Sequence, residues 1–218
     1  MTEIYGEQHR AIQATFGTKN LADRVNDIIV AAEIADDRKG FIESRDMFFL
    51  TTIDHRGYPT CSYKGGNPGF VRVLDSKTLA FPSFDGNGMF LSMGNITANN
   101  KIGMLFIDFE TPHRLRIHGT ASIDPHDPLI AEFHGAQLVV RVAVIEIFVN
   151  CPRYIHKYQR TATSKYVPQS DCMTPSAQWK RINAVQDVLP ERDKNVADTL
   201  GGVITPEEYG AMLMKGEA

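Results

Sequence analysis

Between Met47 and Asn150 the chain is a succession of short β-patterned runs, each closed by turn residues. "MFFLTTI" (47–53) is β-branched and aromatic, and "DHRG" after it is a turn sequence. "YPTCSYK", "FVRVL" and "TLAF" follow, each bounded by Gly, Pro, Asn or Asp. Asp75–Lys77 marks a tight hairpin. After a break the strands resume as "KIGMLFIDF" (101–109), "RLRIHGTASI" (114–123) and "QLVVRVAVIEIFVN" (137–150). Six or seven short strands with few helices among them predict a mainly β, α+β fold: an antiparallel barrel or sandwich with peripheral helices.

The flanks differ in pattern. Residues 7–46 read as helical, with Leu21, Val25, Ile28, Ile29 and Ala32 at the 3.6-residue period and Asn20 as a cap. A shorter helix is expected at Asp37–Arg45. Inside the β region, 87–100 breaks the strand rhythm, and its apolar positions Met89, Phe90, Met93 and Ile96 suit one helix. "HDPLIAEFHG" (126–135) reads as a short helix. Beyond Cys151 the chain is polar and irregular until Thr205-Pro206, which caps and starts a last helix. The expected organisation is a helical extension over 1–46, a barrel domain over 47–166 and an irregular tail over 167–218.

Charge and composition exclude several classes. A net charge of −3 argues against a nucleic-acid or anionic-membrane partner. No apolar run approaches the ~20 residues of a membrane span, and "MTEIYGEQHR" has no signal-peptide pattern, so a cytoplasmic protein is expected. Cys61, Cys151 and Cys172 are widely spaced and read as reduced, structural thiols. No His/Asp/Glu cluster has metal-ligand spacing, and no nucleophile elbow or phosphate-loop signature is present. Any chemistry would therefore fall to a cofactor.

"TCSYKGGNPGF" (60–70) is the passage that points to a ligand. Lys64 ends a strand beside Gly65 and Gly66. "DGNG" (85–88) opens the next helical stretch, which carries Ser92, Asn95 and Asn99. Arg114 and Arg116 alternate on one strand and share a face. Arg153 follows the last long strand. A phosphate monoester takes cations together with hydroxyl, amide or backbone N–H donors, and helix starts supply the last of these. Taken singly, each feature also has a plain structural reading as a solvated cation, an ion pair, a cap or core.

Their order along the chain is more specific. "HRAIQATFGTKNLADRV", "SYKGGNPGFVRV", "DGNGMFLSMGNI" and "NCPRYIHK" together resemble the pyridoxamine 5′-phosphate oxidase-like superfamily, in the bacterial branch described as predicted flavin-nucleotide-binding proteins. The resemblance runs from about Gln8 to about Tyr166. It implies a split β-barrel of six or so antiparallel strands, a homodimer, and FMN in the clefts between subunits. It also implies contacts to FMN from the strand Ser62, Tyr63 and Lys64, from Phe81, Pro82 and Ser83, and from Asn87 and Ser92 at the ribityl phosphate. Arg114 is implied to reach the flavin from the partner chain, with Arg116, Arg153 and Tyr154 near the cofactor. Tyr63, Tyr154 and His156 are candidate proton donors.

Two departures shape the function that follows. Where oxidases proper carry an Arg-Lys pair at the phosphate turn, this chain reads Leu91 and Ser92. Their C-terminal Trp and Arg-x-His substrate motif has no counterpart around Trp179. The resemblance thus implies an FMN-dependent oxidoreductase of unassigned substrate rather than a vitamin B6 oxidase. The alternatives are a non-catalytic flavin carrier or redox sensor, or a deazaflavin- or haem-binding relative.

Overall fold

A computed structural model describes residues 4–218. The chain forms two compact units, Met1–Ala162 and Thr163–Ala218.

The first unit is built on one seven-stranded antiparallel sheet: β1 (Met47–Ile53), β2 (Pro59–Gly65), β3 (Arg72–Asp75), β4 (Thr78–Phe84), β5 (Lys101–Asp108), β6 (His113–Asp124) and β7 (Ala136–Val149). The spatial order is β2-β1-β5-β6-β7-β4-β3. The strands coincide with the β-patterned runs because alternation puts one set of side chains inside and turn residues close each hairpin. In β1, Phe48, Leu50 and Thr52 face inward and Phe49, Thr51 and Ile53 do not. The core gathers Phe48, Phe81 and Phe106 with aliphatic residues from every strand except β2. Phe48 lies edge-on to Phe81 at 5.0 Å and stacks on Phe106 at 5.2 Å between ring centres.

Three helices precede the sheet: α1 (Glu7–Thr15), α2 (Lys19–Ile29) and α3 (Asp36–Glu43). The predicted helical region is thus interrupted, first at Gly17, whose φ of +65° a helix cannot continue. Asn20 is not a cap: α2 begins at Lys19 with Thr18 in the capping position, so Asn20 lies in the first turn. Neither α1 nor α2 buries a residue, whereas α3 buries Ile42. Ala31, just after α2, exchanges backbone hydrogen bonds with Ile147 of β7 and ties this region to the sheet.

The helix α4 (Leu91–Ala98) is shorter than its apolar pattern suggested. Met89 and Phe90 precede it and are exposed, and Phe90 takes a left-handed conformation (φ 47°, ψ 31°) at its start. The expected helix around 126–135 is a single 3₁₀ stretch, Pro128–Glu132. Its amide at Leu129 donates to Asp127 Oδ1 at 2.9 Å.

The second unit is mostly 3₁₀ turns, followed by α5 (Val196–Thr199) and α6 (Pro206–Lys215). Thr205 caps α6 as its sequence suggested: Glu208 N donates to Thr205 Oγ1 at 3.2 Å, and Thr205 N donates to Glu208 Oε2 at 2.7 Å. Inside this unit Lys180, only 5% exposed, pairs with the buried Asp193 at 2.9 Å. Among the described residues, no helix is long and apolar enough to cross a membrane.

Candidate functional site

The site begins with the face that β2 turns inward. Thr60, Ser62 and Lys64 stand at alternate positions and therefore on one side of the strand. That side meets α4, not the apolar core, which is why a strand face of hydroxyls and an ammonium is tolerated. Asn95 of α4, 9% exposed, donates from Nδ2 to Thr52 Oγ1 at 3.0 Å and to Thr60 Oγ1 at 3.2 Å. The two threonine hydroxyls share a hydrogen bond of 2.8 Å. One step along, Ser62 and Ser92 join their hydroxyls at 3.0 Å. These are successive rungs between strand and helix.

Lys64 is the third rung, and the helix does not extend to it. It reaches a cavity of about 220 Å³ bounded by Ser62, Ser83, Asn87, Ser92 and the chain from Gly86 to Met93. Lys64 is half-buried. Desolvation lowers its ammonium pKa from the ordinary lysine value. Among the described residues no carboxylate pairs with it. A partly dehydrated cation without an anion is an unfavourable arrangement for a protein by itself.

The loop opposite Lys64 is shaped by its own side chain. Asn87 Oδ1 accepts from the Met89 amide at 3.1 Å, an Asx turn that orders the approach to α4. Phe90, bulky and left-handed, then turns the chain into the helix, a conformation that costs on the order of 1–2 kcal/mol for a residue other than glycine. The first-turn residues Leu91, Ser92 and Met93 line the cavity, so the unsatisfied amides of a helix start lie beside it. One cation, two serines and a helix N-terminus form a donor set suited to a phosphate monoester.

The glycines beside Lys64 have another purpose. A Cβ on Gly66 would lie 2.4 Å from Cγ of Phe70, a residue only 7% exposed whose ring stacks on Phe48 at 5.8 Å. The bare backbone at Gly66 thus lets Phe70 close the core, Gly65 leaves room for the Tyr63 ring instead, and neither glycine lines the cavity.

The sequence-predicted site residues fall into separate places. Ser62, Lys64, Ser83, Asn87 and Ser92 converge on the cavity. Phe81 and Pro82 are buried in β4, and the Phe81 ring belongs to the core. Tyr63 points to the opposite face of β2, edge-on to Phe49 at 6.1 Å. Desolvation and the nearby Asp46 carboxylate raise its phenol pKa. Arg116 lies in the same cross-strand row as Tyr63, the sequence of pairs being Tyr63, Phe49, Leu105, Arg116 and Phe148. Arg114, one step towards the strand start, has a buried Nε with no hydrogen-bond partner among the described residues. Past the end of β7, Arg153 Nε lies 3.3 Å from Cys151 Sγ. The Arg153 amide, then its guanidinium, lower the Cys151 pKa. Tyr154 is almost fully exposed with φ 70°. All three cysteines are free, in keeping with reduced thiols, but exposed, which does not fit the structural role expected of them.

Sequence reasoning did not reach the cavity's apolar rim or the Asn95 network. The rim is the exposed run Met89, Phe90 and Leu91, of which the apolar pattern had placed Met89 and Phe90 in a helix with Met93 and Ile96. The network joins residues 35 to 43 positions apart, a pairing with no local sequence signal.

The model of the family described as pyridoxamine 5′-phosphate oxidase matches residues 34–158, more than half of the 218-residue chain. The chain belongs to that family, in the pyridoxamine 5′-phosphate oxidase-like split-barrel superfamily. The match lies within the first unit. Solved structures with some likeness include HupZ of Group A Streptococcus, 20% identical over 57% of this chain and 99% of that one, with a TM-score of 0.44. Another is an FMN-binding protein of Syntrophomonas wolfei, 10% identical over 64% of this chain and 97% of that one, with a TM-score of 0.39. No curated protein matches the sequence.

Proposed function

We propose that the chain binds FMN, with the flavin phosphate seated between Lys64 and the start of α4, and that it acts as a flavin-dependent oxidoreductase in the cytoplasm. The observation that carries this reading is Lys64, partly dehydrated, without an anion among the described residues, and set against Ser62, Ser92 and a helix N-terminus. A phosphate supplies the missing charge. It also answers the absence of the Arg-Lys pair at Leu91 and Ser92, because β2 provides the cation from across the cavity.

The cavity is smaller than the ~300–1,000 Å³ typical of sites that enclose a cofactor-sized ligand. One chain therefore shelters only part of a flavin nucleotide, which supports a homodimer whose second subunit completes the cleft. When bound, FMN supplies hydride and single-electron transfer. The chain's own residues bind and orient: Lys64 and the α4 amides hold the phosphate, and the apolar rim of Met89, Phe90 and Leu91 excludes water from the cavity mouth. Arg114, Arg116, Arg153 and Tyr154 are proposed contacts of the same cofactor, and Tyr63 or Tyr154 a proton donor.

The purified protein is expected to be yellow, with flavin absorption bands, and to lose that colour on dilution into the monomer range. Reduction of the bound flavin by NADH or NADPH, followed by reoxidation with oxygen or a quinone, is expected of an oxidoreductase. A flavoprotein that retains FMN but exchanges electrons with no donor would be a carrier or sensor. A colourless dimer with no affinity for FMN would end the proposal.

A further inference from the structure

We infer that Asn95 is a positioning residue for the anion site: through Thr52 and Thr60 it sets α4 against β2 so that Ser92 and the first-turn amides face Lys64. The inference rests on the reading of Lys64 as a phosphate ligand and goes beyond it, since Asn95 lies outside the residues that line the cavity.

The geometry leaves little slack. Asn95 is 9% and Thr52 1% exposed, so the network is shielded from water. Asn95 Nδ2 donates to both threonine hydroxyls, which also share a hydrogen bond with each other, so the three groups close a triangle. Satisfying both requires one rotation and one height of the helix relative to the strand pair. Ser92 precedes Asn95 by three residues and thus lies on the same helix face, nearly one turn towards the cavity. Ser62 follows Thr60 by two on the same strand face. The Asn95 rung therefore determines where the Ser62–Ser92 rung falls, and that rung determines how the α4 start meets Lys64.

Apolar contacts alone do not fix this register. Met93 and Ile96 bury the other half of the α4 inner face, and such contacts tolerate sliding and rotation better than a hydrogen-bond pair does. A buried network whose members are mutually satisfied specifies one arrangement.

The test separates position from stability by using two ligands. FMN and riboflavin share the ring and ribityl chain and differ in the phosphate. Dissociation constants for both are measured by quenching of flavin fluorescence with intact, full-length protein, alongside thermal melts. Asn95→Ala is expected to weaken FMN about tenfold, one hydrogen bond's worth of misalignment, and to leave riboflavin unchanged. Thr60→Val keeps the shape, removes one hydroxyl and is expected to show the same selective loss even if Asn95→Ala folds poorly. Thr60→Ser keeps the hydroxyl and is expected to retain the FMN affinity of the unmodified chain.

A fall in melting temperature with the FMN-to-riboflavin ratio preserved in both Asn95→Ala and Thr60→Val would overturn the inference. If Lys64→Ala still lowers that ratio, the phosphate site survives without Asn95 as its positioner. If Lys64→Ala leaves the ratio unchanged, the phosphate site itself falls and Asn95 with it.

Discussion

Two lysines withdrawn from water meet different fates in this molecule. Lys180, in the second unit, is 5% exposed and pairs with Asp193 at 2.9 Å. Lys64, in the first, is half-buried and has no anion in the described chain. A dehydrated ammonium needs compensation, and the chain supplies it in one case but not in the other. Lys180 is thus a structural cation, and Lys64 is the cation for which we propose a partner from outside. Burial alone does not distinguish them; the presence or absence of a carboxylate does.

That contrast breaks most severely at the paired lysine. Asp193→Ala would remove the carboxylate that pairs with the buried Lys180 and is expected to destabilise the second unit by about 3–5 kcal/mol. Thermal or urea unfolding followed by fluorescence of Trp179, the only tryptophan, reads it directly. A change below 1 kcal/mol would mean that Lys180 is compensated otherwise.

At the unpaired lysine the loss should appear in binding. Lys64→Ala is expected to weaken FMN by ten- to a hundredfold, the value of about 1.5–3 kcal/mol for a charge-assisted contact. Equilibrium dialysis against FMN measures it, and equal affinities would remove Lys64 from the site.

The contrast also has a pH signature. Desolvation lowers the folded-state pKa of Lys64 below the ordinary lysine value of 10.5 that describes it unfolded. Between those two values the unfolded chain carries a proton that the folded chain lacks, so the ligand-free protein gains stability from this group as pH rises through that window. FMN affinity should move the opposite way, falling as Lys64 loses its charge, and at a lower pH than an ordinary lysine would. The Lys64→Ala protein should lack that alkaline limb; its persistence there would assign the limb to another group.

The smallest effect is expected for Lys64→Met without ligand. Removing a cation that has no partner while keeping an apolar stem should leave the melting temperature unchanged or slightly raised. A clear destabilisation would reveal an interaction within the chain and make Lys64 resemble Lys180 after all.

The sheet was legible in the sequence because its signals are local. Alternation in Met47–Ile53 and turn residues at 54–57 specify a hairpin before any tertiary contact is known. The capping box at Thr205 and Glu208 was legible for the same reason. Helical periodicity misled at Met89 and Phe90, where the Asx turn of Asn87 and the left-handed Phe90 delay the helix to Leu91. Part of the cavity was legible too: Lys64 stood out at a strand end, the family resemblance added Ser62, and the Gly-Asn-Gly run before a helix indicated an anion-accepting start. The pairing of Asn95 with Thr52 and Thr60 was not, because a hydrogen bond across 43 residues leaves no pattern in either segment. Gly65 and Gly66 show the converse: they attracted attention as backbone beside a cation, yet the space at Gly66 belongs to Phe70.

The most direct test is a titration of the purified chain with FMN, followed by quenching of flavin fluorescence. The account predicts saturation at one FMN per chain, a complex that survives gel filtration as a dimer, and competition by inorganic phosphate that disappears in Lys64→Ala. Fluorescence unquenched at any protein concentration reached, or quenching indifferent to phosphate and to Lys64, would contradict it.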